Sequence, residues 1–323
     1  MYKLHFNEAP FNLSGRIMEA FTEKLKVTDL NRYGSFRGEN LTEKLSEKLG
    51  LSLKNIAVGN GSDELLKVVT ETFLSPGEKA MTISPHFVVY PEYVSLVGGE
   101  FISFDLSPDL TLDENGFIEQ VIVEDPKIIY LCTPHNPTGL VLTPAFIKKV
   151  TEVSSGIVVI DEAYIEFSTE STLIDLAAKS PKLICTRTFS KAYGAAGIRL
   201  GYIVGSRENI KKINSRRLIF CLSTLTEVMG GVLLDNEESF RENTLYISEE
   251  RDRILDEVVS SEKITLYPSQ GSFILVKTSV NLGKVMKANG IMINKVAWRE
   301  GFYRISIGDS RINNQVIQIL NSL

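Results

Sequence analysis

Lys191 lies in the run RTFSKAYGAAGIRLG, between small and aromatic residues and ahead of glycines and Arg199. A lysine in such surroundings is poorly solvated, which lowers its pKa and makes the amine nucleophilic toward an aldehyde. A solvated surface lysine would have charged neighbours, and none stands within three residues of Lys191. Thr188, Ser190 and Arg199 add two hydroxyls and a guanidinium within twelve residues, a set suited to a phosphate dianion.

Asp161 ends the apolar run GIVVID. A carboxylate there is costly unless a cation meets it, or unless it serves as a satisfied helix cap. A protonated pyridine nitrogen is a suitable cation, and a carboxylate holding that proton makes the ring an electron sink. Tyr164, three residues on, is placed to reach a phenolic oxygen of such a cofactor; it is equally well a core aromatic. In GNGSDELLKVV, Gly59 and Gly61 precede a helix whose first turn carries Ser62 and Asp63. Helix-terminal amides bind phosphate, although a Gly-Ser start is also an ordinary cap. Asp63 and Glu64 would repel a phosphate, so Arg199 is needed there as a counter-charge. CTPHNPTG surrounds Asn136 with two prolines and a glycine, either as a tight turn or to aim its amide at a cofactor oxygen. Phe87 follows another apolar run, placed to stack on a pyridine ring or to fill the core.

The elements that must position these residues follow from the alternation of apolar runs and amphipathic stretches. Ala80–Ser84, Lys127–Cys132, Gly156–Asp161, Lys182–Thr186 and Gly201–Val204 read as buried strands. Asp63–Leu74, Phe87–Leu96 and Pro144–Ser154 read as helices between them. This predicts an α/β fold with a mostly parallel sheet in a large domain, 31–230. Ligands of such sheets sit at the carboxyl ends of strands, where Asn136, Asp161 and Lys191 fall. Beyond about residue 230 a charged helix, four short strands and two further helices predict a smaller α+β domain, 231–323. Residues 1–30 are expected to pack on it without a sheet partner of their own.

The 323 residues carry a net charge of −5 with no dense basic run, which disfavours nucleic acid and anionic membrane as partners. Cys132, Cys185 and Cys221 are widely separated among apolar residues and read as buried thiols of a reducing compartment, not as disulfides or a metal site. No signal-peptide core opens the chain and no stretch approaches about 18 apolar residues, so a cytoplasmic protein is expected.

Taken together, NPTG at 136–139, DEAY at 161–164 and SKxxGxxGxRxG from Ser190 to Gly201 resemble the fold-type I aminotransferases. NRYG at 31–34, DEAYIEF at 161–167 and YRISIG at 303–308 resemble their histidinol-phosphate branch in particular. The resemblance implies that Lys191 carries pyridoxal 5′-phosphate (PLP) as a Schiff base and then moves the proton between the substrate Cα and the cofactor C4′. It implies Asp161 on the pyridine nitrogen, and Asn136 and Tyr164 on the 3′-oxygen. It places the phosphate on the Gly61–Asp63 amides, Thr188, Ser190 and Arg199. Tyr33 would reach the phosphate held by the other subunit of a homodimer, and Arg304 would bind the substrate anion; Arg304 otherwise reads as a strand arginine in a surface salt bridge. The Asn136–Pro137 bond is expected to be cis.

Three departures bear on the substrate. GIMIN places Asn294 where the branch usually carries a second arginine, with Lys295 and Arg299 nearby. The chain starts almost at the first family strand, and His135 stands where Asn is commoner. The expected reaction is transfer of an amino group from an amino-acid-like donor such as histidinol phosphate to 2-oxoglutarate. The competing expectations are aromatic amino acid transamination, decarboxylation of a phosphorylated amino acid such as threonine phosphate, and a non-enzymatic regulatory domain. The last is disfavoured by the intact Lys191.

Overall fold

The structure is a computed structural model that describes residues 1–323, the side chain of Ser239 excepted. Seven strands form the large sheet: β2 (Ile56–Gly59), β3 (Lys79–Ser84), β4 (Glu100–Asp105), β5 (Ile128–Cys132), β6 (Ile157–Asp161), β7 (Leu183–Thr188) and β8 (Gly201–Gly205). Their order is β2-β8-β7-β6-β5-β3-β4, and only β8 runs antiparallel to its neighbours. The central strands β5 and β6 are apolar up to Asp161, as expected of strands whose two faces are both covered.

β2 and β4 have no counterpart among the predicted strands. β2 is apolar but only four residues long, too short to stand out as a strand, and β4 is an edge strand whose residues are all at least partly exposed, so it shows no continuous apolar run. Ser62–Phe73, Val89–Leu96 and Pro144–Val153 are helical, close to the predicted stretches.

The C-terminal part is a second sheet, ordered β1-β11-β12-β10-β9, from β9 (Ile264–Tyr267), β10 (Phe273–Thr278), β11 (Ile291–Lys295), β12 (Phe302–Ser306) and β1 (Tyr2–Leu4). The N-terminal residues therefore do have a sheet partner, contrary to expectation: Tyr2, Lys3 and Leu4 pair in parallel with Ile291, Met292 and Ile293. Three residues are too few for a period-2 signal, and the pairing spans almost the whole chain. Just beyond, helix Gly15–Lys26 buries Ile17 in the core that also holds Leu41 and Leu200. The N-terminal segment between strand and helix thus crosses the gap between the two sheets.

Candidate active site

Asp161 on β6 is the Cα partner of Cys132 on β5 and of Thr186 on β7. The parallel register therefore brings Asn136, Asp161 and the Thr188–Lys191 segment to one edge of the sheet. A crevice of about 440 Å³ opens there. It is lined by Asn136, Asp161, Tyr164, Thr188, Ser190 and Lys191, by Ser62, Asp63, Phe87 and Arg199, and by Arg304 from the small sheet. Eleven of the thirteen residues singled out above thus share one cavity.

Gly61 lies just behind it. Its φ of +88° favours glycine, and a Cβ there would stand 2.6 Å from Arg199 Nη2, so only glycine admits the guanidinium this close. Tyr33 stands outside the crevice, 81% exposed and stacked on Phe220 with ring centroids 4.4 Å apart.

Asp161 is 4% exposed; Tyr90 Oη donates to its Oδ2 at 2.7 Å and the Ala163 amide to its Oδ1 at 3.2 Å. Burial pushes its carboxyl up to about 6 despite these hydrogen bonds. Lys191 is half-buried, and its Nζ donates to the Phe6 carbonyl at 2.8 Å. Burial, assisted by the positive charge of Arg304, brings its amine down to about 8. The expected desolvation of this lysine is therefore present.

Arg199 Nη2 lies 3.2 Å from Asp63 Oδ2, and the Glu64 carboxylate accepts from the Asn60 amide. The acidic residues expected to repel a phosphate are thus partly neutralised and turned aside. Arg304 is 9% exposed, donating from Nη1 to Asn136 Oδ1 at 2.5 Å and from Nη2 to the His5 carbonyl at 2.6 Å. Its Nε has no partner, and no carboxylate pairs with it among the described residues. The surface salt-bridge reading of Arg304 is therefore incorrect, because β12 is sandwiched between β10 and β11 and turns this side chain inward. The Asn136–Pro137 bond is cis, as expected.

Asn294 is the Cα partner of Arg304 on the neighbouring antiparallel strand, so both side chains project from the same face. Lys295 pairs with Tyr303 and projects from the opposite face. Arg299 Nη2 reaches the Leu106 carbonyl at 3.4 Å and does not line the crevice.

Sequence reasoning missed Tyr90, fully buried behind Asp161, and Asn7, whose Nδ2 lies 2.9 Å from Tyr164 Oη. A tyrosine early in an apolar helix carries no signal beyond core packing. Asn7 is 157 positions from its partner.

The family model for "Aminotransferase class I and II" matches residues 1–320. The chain belongs to that family. It is an aminotransferase with the fold-type I architecture. It is 33% identical over 327 residues to a histidinol-phosphate aminotransferase of Thermoanaerobacter sp. (strain X514), covering 100% of this chain and 93% of that one. A second such enzyme, from Clostridium kluyveri (strain ATCC 8527 / DSM 555 / NBRC 12016 / NCIMB 10680 / K1), is 33% identical over 325 residues, covering 99% and 92%. Among solved structures, histidinol-phosphate aminotransferase from Sinorhizobium meliloti in complex with pyridoxal-5′-phosphate superposes with a TM-score of 0.88 at 25% identity, covering 99% of this chain and 90% of that one. L-threonine-O-3-phosphate decarboxylase from Porphyromonas gingivalis shares the fold, with a TM-score of 0.86 at 18% identity over 100% and 99% of the two chains. No helix among the described residues is long and apolar enough to cross a membrane.

Proposed function

We propose that this aminotransferase uses PLP held by Lys191 and moves an amino group from histidinol phosphate, or a similar amino-acid-like donor, to 2-oxoglutarate. The observation that carries the reading is a half-buried lysine, its amine lowered to about 8, in one crevice with a buried, cation-free carboxylate and a buried arginine without an acidic partner. These groups suit a ligand with an aldehyde, a basic ring nitrogen and anionic groups, and the absence of a side chain at Gly61 lets the Arg199 guanidinium stand at the start of the Ser62 helix.

Bound PLP supplies an aldehyde that condenses with amines and a ring that accepts electron density from the substrate Cα. Asp161 keeps the proton on the pyridine nitrogen, where its charge is worth most because water is excluded. Asn136 and Tyr164 hold the 3′-oxygen. The Gly61–Asp63 amides, Thr188, Ser190 and Arg199 hold the phosphate. Lys191 would hold the aldehyde end of the cofactor, and its amine, once free, would be the group that carries a proton to and from the substrate Cα. Phe87, which lines the same crevice, would cover the cofactor ring, and Arg304 would receive the substrate anion. The names of relatives at 31–33% identity support the choice of donor.

The same proposal includes a homodimer in the cytoplasm, with Tyr33 completing the partner's phosphate site. The exposed cluster of Tyr33, Phe36, Leu218, Ile219 and Phe220 supports such a contact. It also includes the division into 31–230 and 1–30 plus 231–323, and a small-molecule amino donor and a 2-oxo acid as substrates.

Borohydride reduction of the PLP-loaded protein followed by peptide mapping tests the reading. The pyridoxyl group is expected on Lys191, and Lys191→Ala is expected to lose both the visible absorbance and transamination with histidinol phosphate. A label on any other lysine overturns the assignment.

A further inference from the structure

The N-terminal segment holds three site residues with three consecutive positions. The His5 carbonyl accepts from Arg304, the Phe6 carbonyl from Lys191, and the Asn7 side chain meets Tyr164. Asn7 is 1% exposed and sits at φ +53°, a left-handed conformation that asparagine tolerates better than most residues. Its backbone N–H donates to Ser306 Oγ at 2.8 Å, and Ser306 Oγ donates to Asn7 Oδ1 at 2.9 Å. A backbone N–H can only donate, so the single proton of the buried Ser306 hydroxyl is free for the Asn7 carbonyl oxygen. That orients the amide, turning Nδ2 toward Tyr164 Oη at 2.9 Å. The phenol oxygen accepts there, and its own proton is left to point into the crevice.

We propose that Asn7 and Ser306 are positioning residues that set the direction of this hydrogen-bond chain, obliging Tyr164 to act as a donor toward the ring oxygen of the cofactor. The inference rests on the reading of Tyr164 given under Proposed function. Ser306 does not line the crevice, so any effect it has on the cofactor passes through Asn7. With Ser306 replaced by alanine, the amide is free to turn its oxygen to Tyr164 and capture the phenol proton.

The test is the pH midpoint of the visible absorbance of the PLP-loaded protein. A donor on the ring oxygen competes with the proton of the Lys191 linkage for the same lone pairs, so losing the donor raises the midpoint. Tyr164→Phe is expected to raise it by about one unit. Ser306→Ala and Asn7→Gly, the latter chosen because glycine fits the positive φ, are expected to shift it in the same direction and to add nothing in a Tyr164→Phe background. Thermal unfolding of each cofactor-free variant checks that it folds, and either variant alone suffices. An unchanged midpoint in the folded variants, with Tyr164→Phe shifted, overturns the proposal. So does a shift that persists without the Tyr164 hydroxyl. If Tyr164→Phe itself has no effect, the placing of Tyr164 on the ring oxygen fails, and this inference with it.

Discussion

The buried carboxylate of Asp161 is caught between stability and chemistry. Its pKa of about 6 in the folded chain lies above the ordinary 3.8, so the folded state binds the proton more tightly than the unfolded one. The resulting stability is complete below about pH 4 and is lost as pH rises through about 6, a change of up to about 3 kcal/mol. Asp161→Asn removes this dependence. Its amide matches the protonated carboxyl in shape and in having one carbonyl acceptor, so the variant starts near the wild type at low pH. The cofactor-free variant is expected to gain on the wild type steadily as pH rises from about 4 to about 7 in thermal unfolding scans. The same substitution is expected to slow proton abstraction in the loaded enzyme by about 3 kcal/mol, read in single-turnover kinetics, because the ring loses its charged partner. Lys191 carries the complementary pH dependence. Only its neutral amine attacks an aldehyde, so the rate of PLP capture by the cofactor-free protein should rise with pH and level off above about 8. A rate still climbing steeply near the ordinary lysine range of about 10.4 would show that the amine is not desolvated.

Among the elements, the pairing of β11 with β12 sets which residues stand beside Arg304, the side chain proposed to receive the substrate anion. Asn294 and Arg304 are direct partners on one face, whereas Lys295 lies on the other. One guanidinium satisfies a carboxylate bidentately but leaves part of a phosphate dianion unpaired. Asn294→Arg is therefore expected to improve kcat/KM for histidinol phosphate by about 1–2 kcal/mol, and by less for phenylalanine. Two like charges directly opposite on adjacent strands repel, so the ligand-free variant should be less stable by a few tenths of a kcal/mol, about 0.5. Equal kinetic effects on both donors would mean that position 294 does not meet the substrate.

The whole-molecule expectation is a twofold dimer in which each copy completes the other's site. The exposed Tyr33–Phe220 stack lies outside the crevice of its own chain, so its role is best tested by complementation. Lys191→Ala and Tyr33→Ala are each expected to be impaired. In a mixed dimer, the Tyr33→Ala copy keeps Lys191 and receives Tyr33 from its partner, restoring one intact site. Mixing and reassociating the two variants should raise activity well above either parent. No gain, with mixed dimers verified by mass, would place Tyr33 in the service of its own chain.

Much of the site was legible in the residues because of how a parallel sheet is built. Asn136, Asp161 and Lys191 each follow an apolar run, and parallel strands bring their carboxyl ends to one edge, so order along the chain becomes adjacency in space. The glycines around Arg199 and the apolar setting of Lys191 are likewise local features. What tertiary structure alone decided are the contacts with no local cause. Tyr90 reaches Asp161 across 71 positions, Asn7 reaches Tyr164 across 157, and the His5 carbonyl reaches Arg304 across 299. Asparagine, tyrosine and a backbone carbonyl occur everywhere in a chain, so nothing marks these few in advance. They become parts of the site only because β1 joins the C-terminal sheet and draws residues 5–7 across the crevice. A three-residue strand gains its stability from its partner strand rather than from its own pattern, which is why sequence periodicity could not announce it.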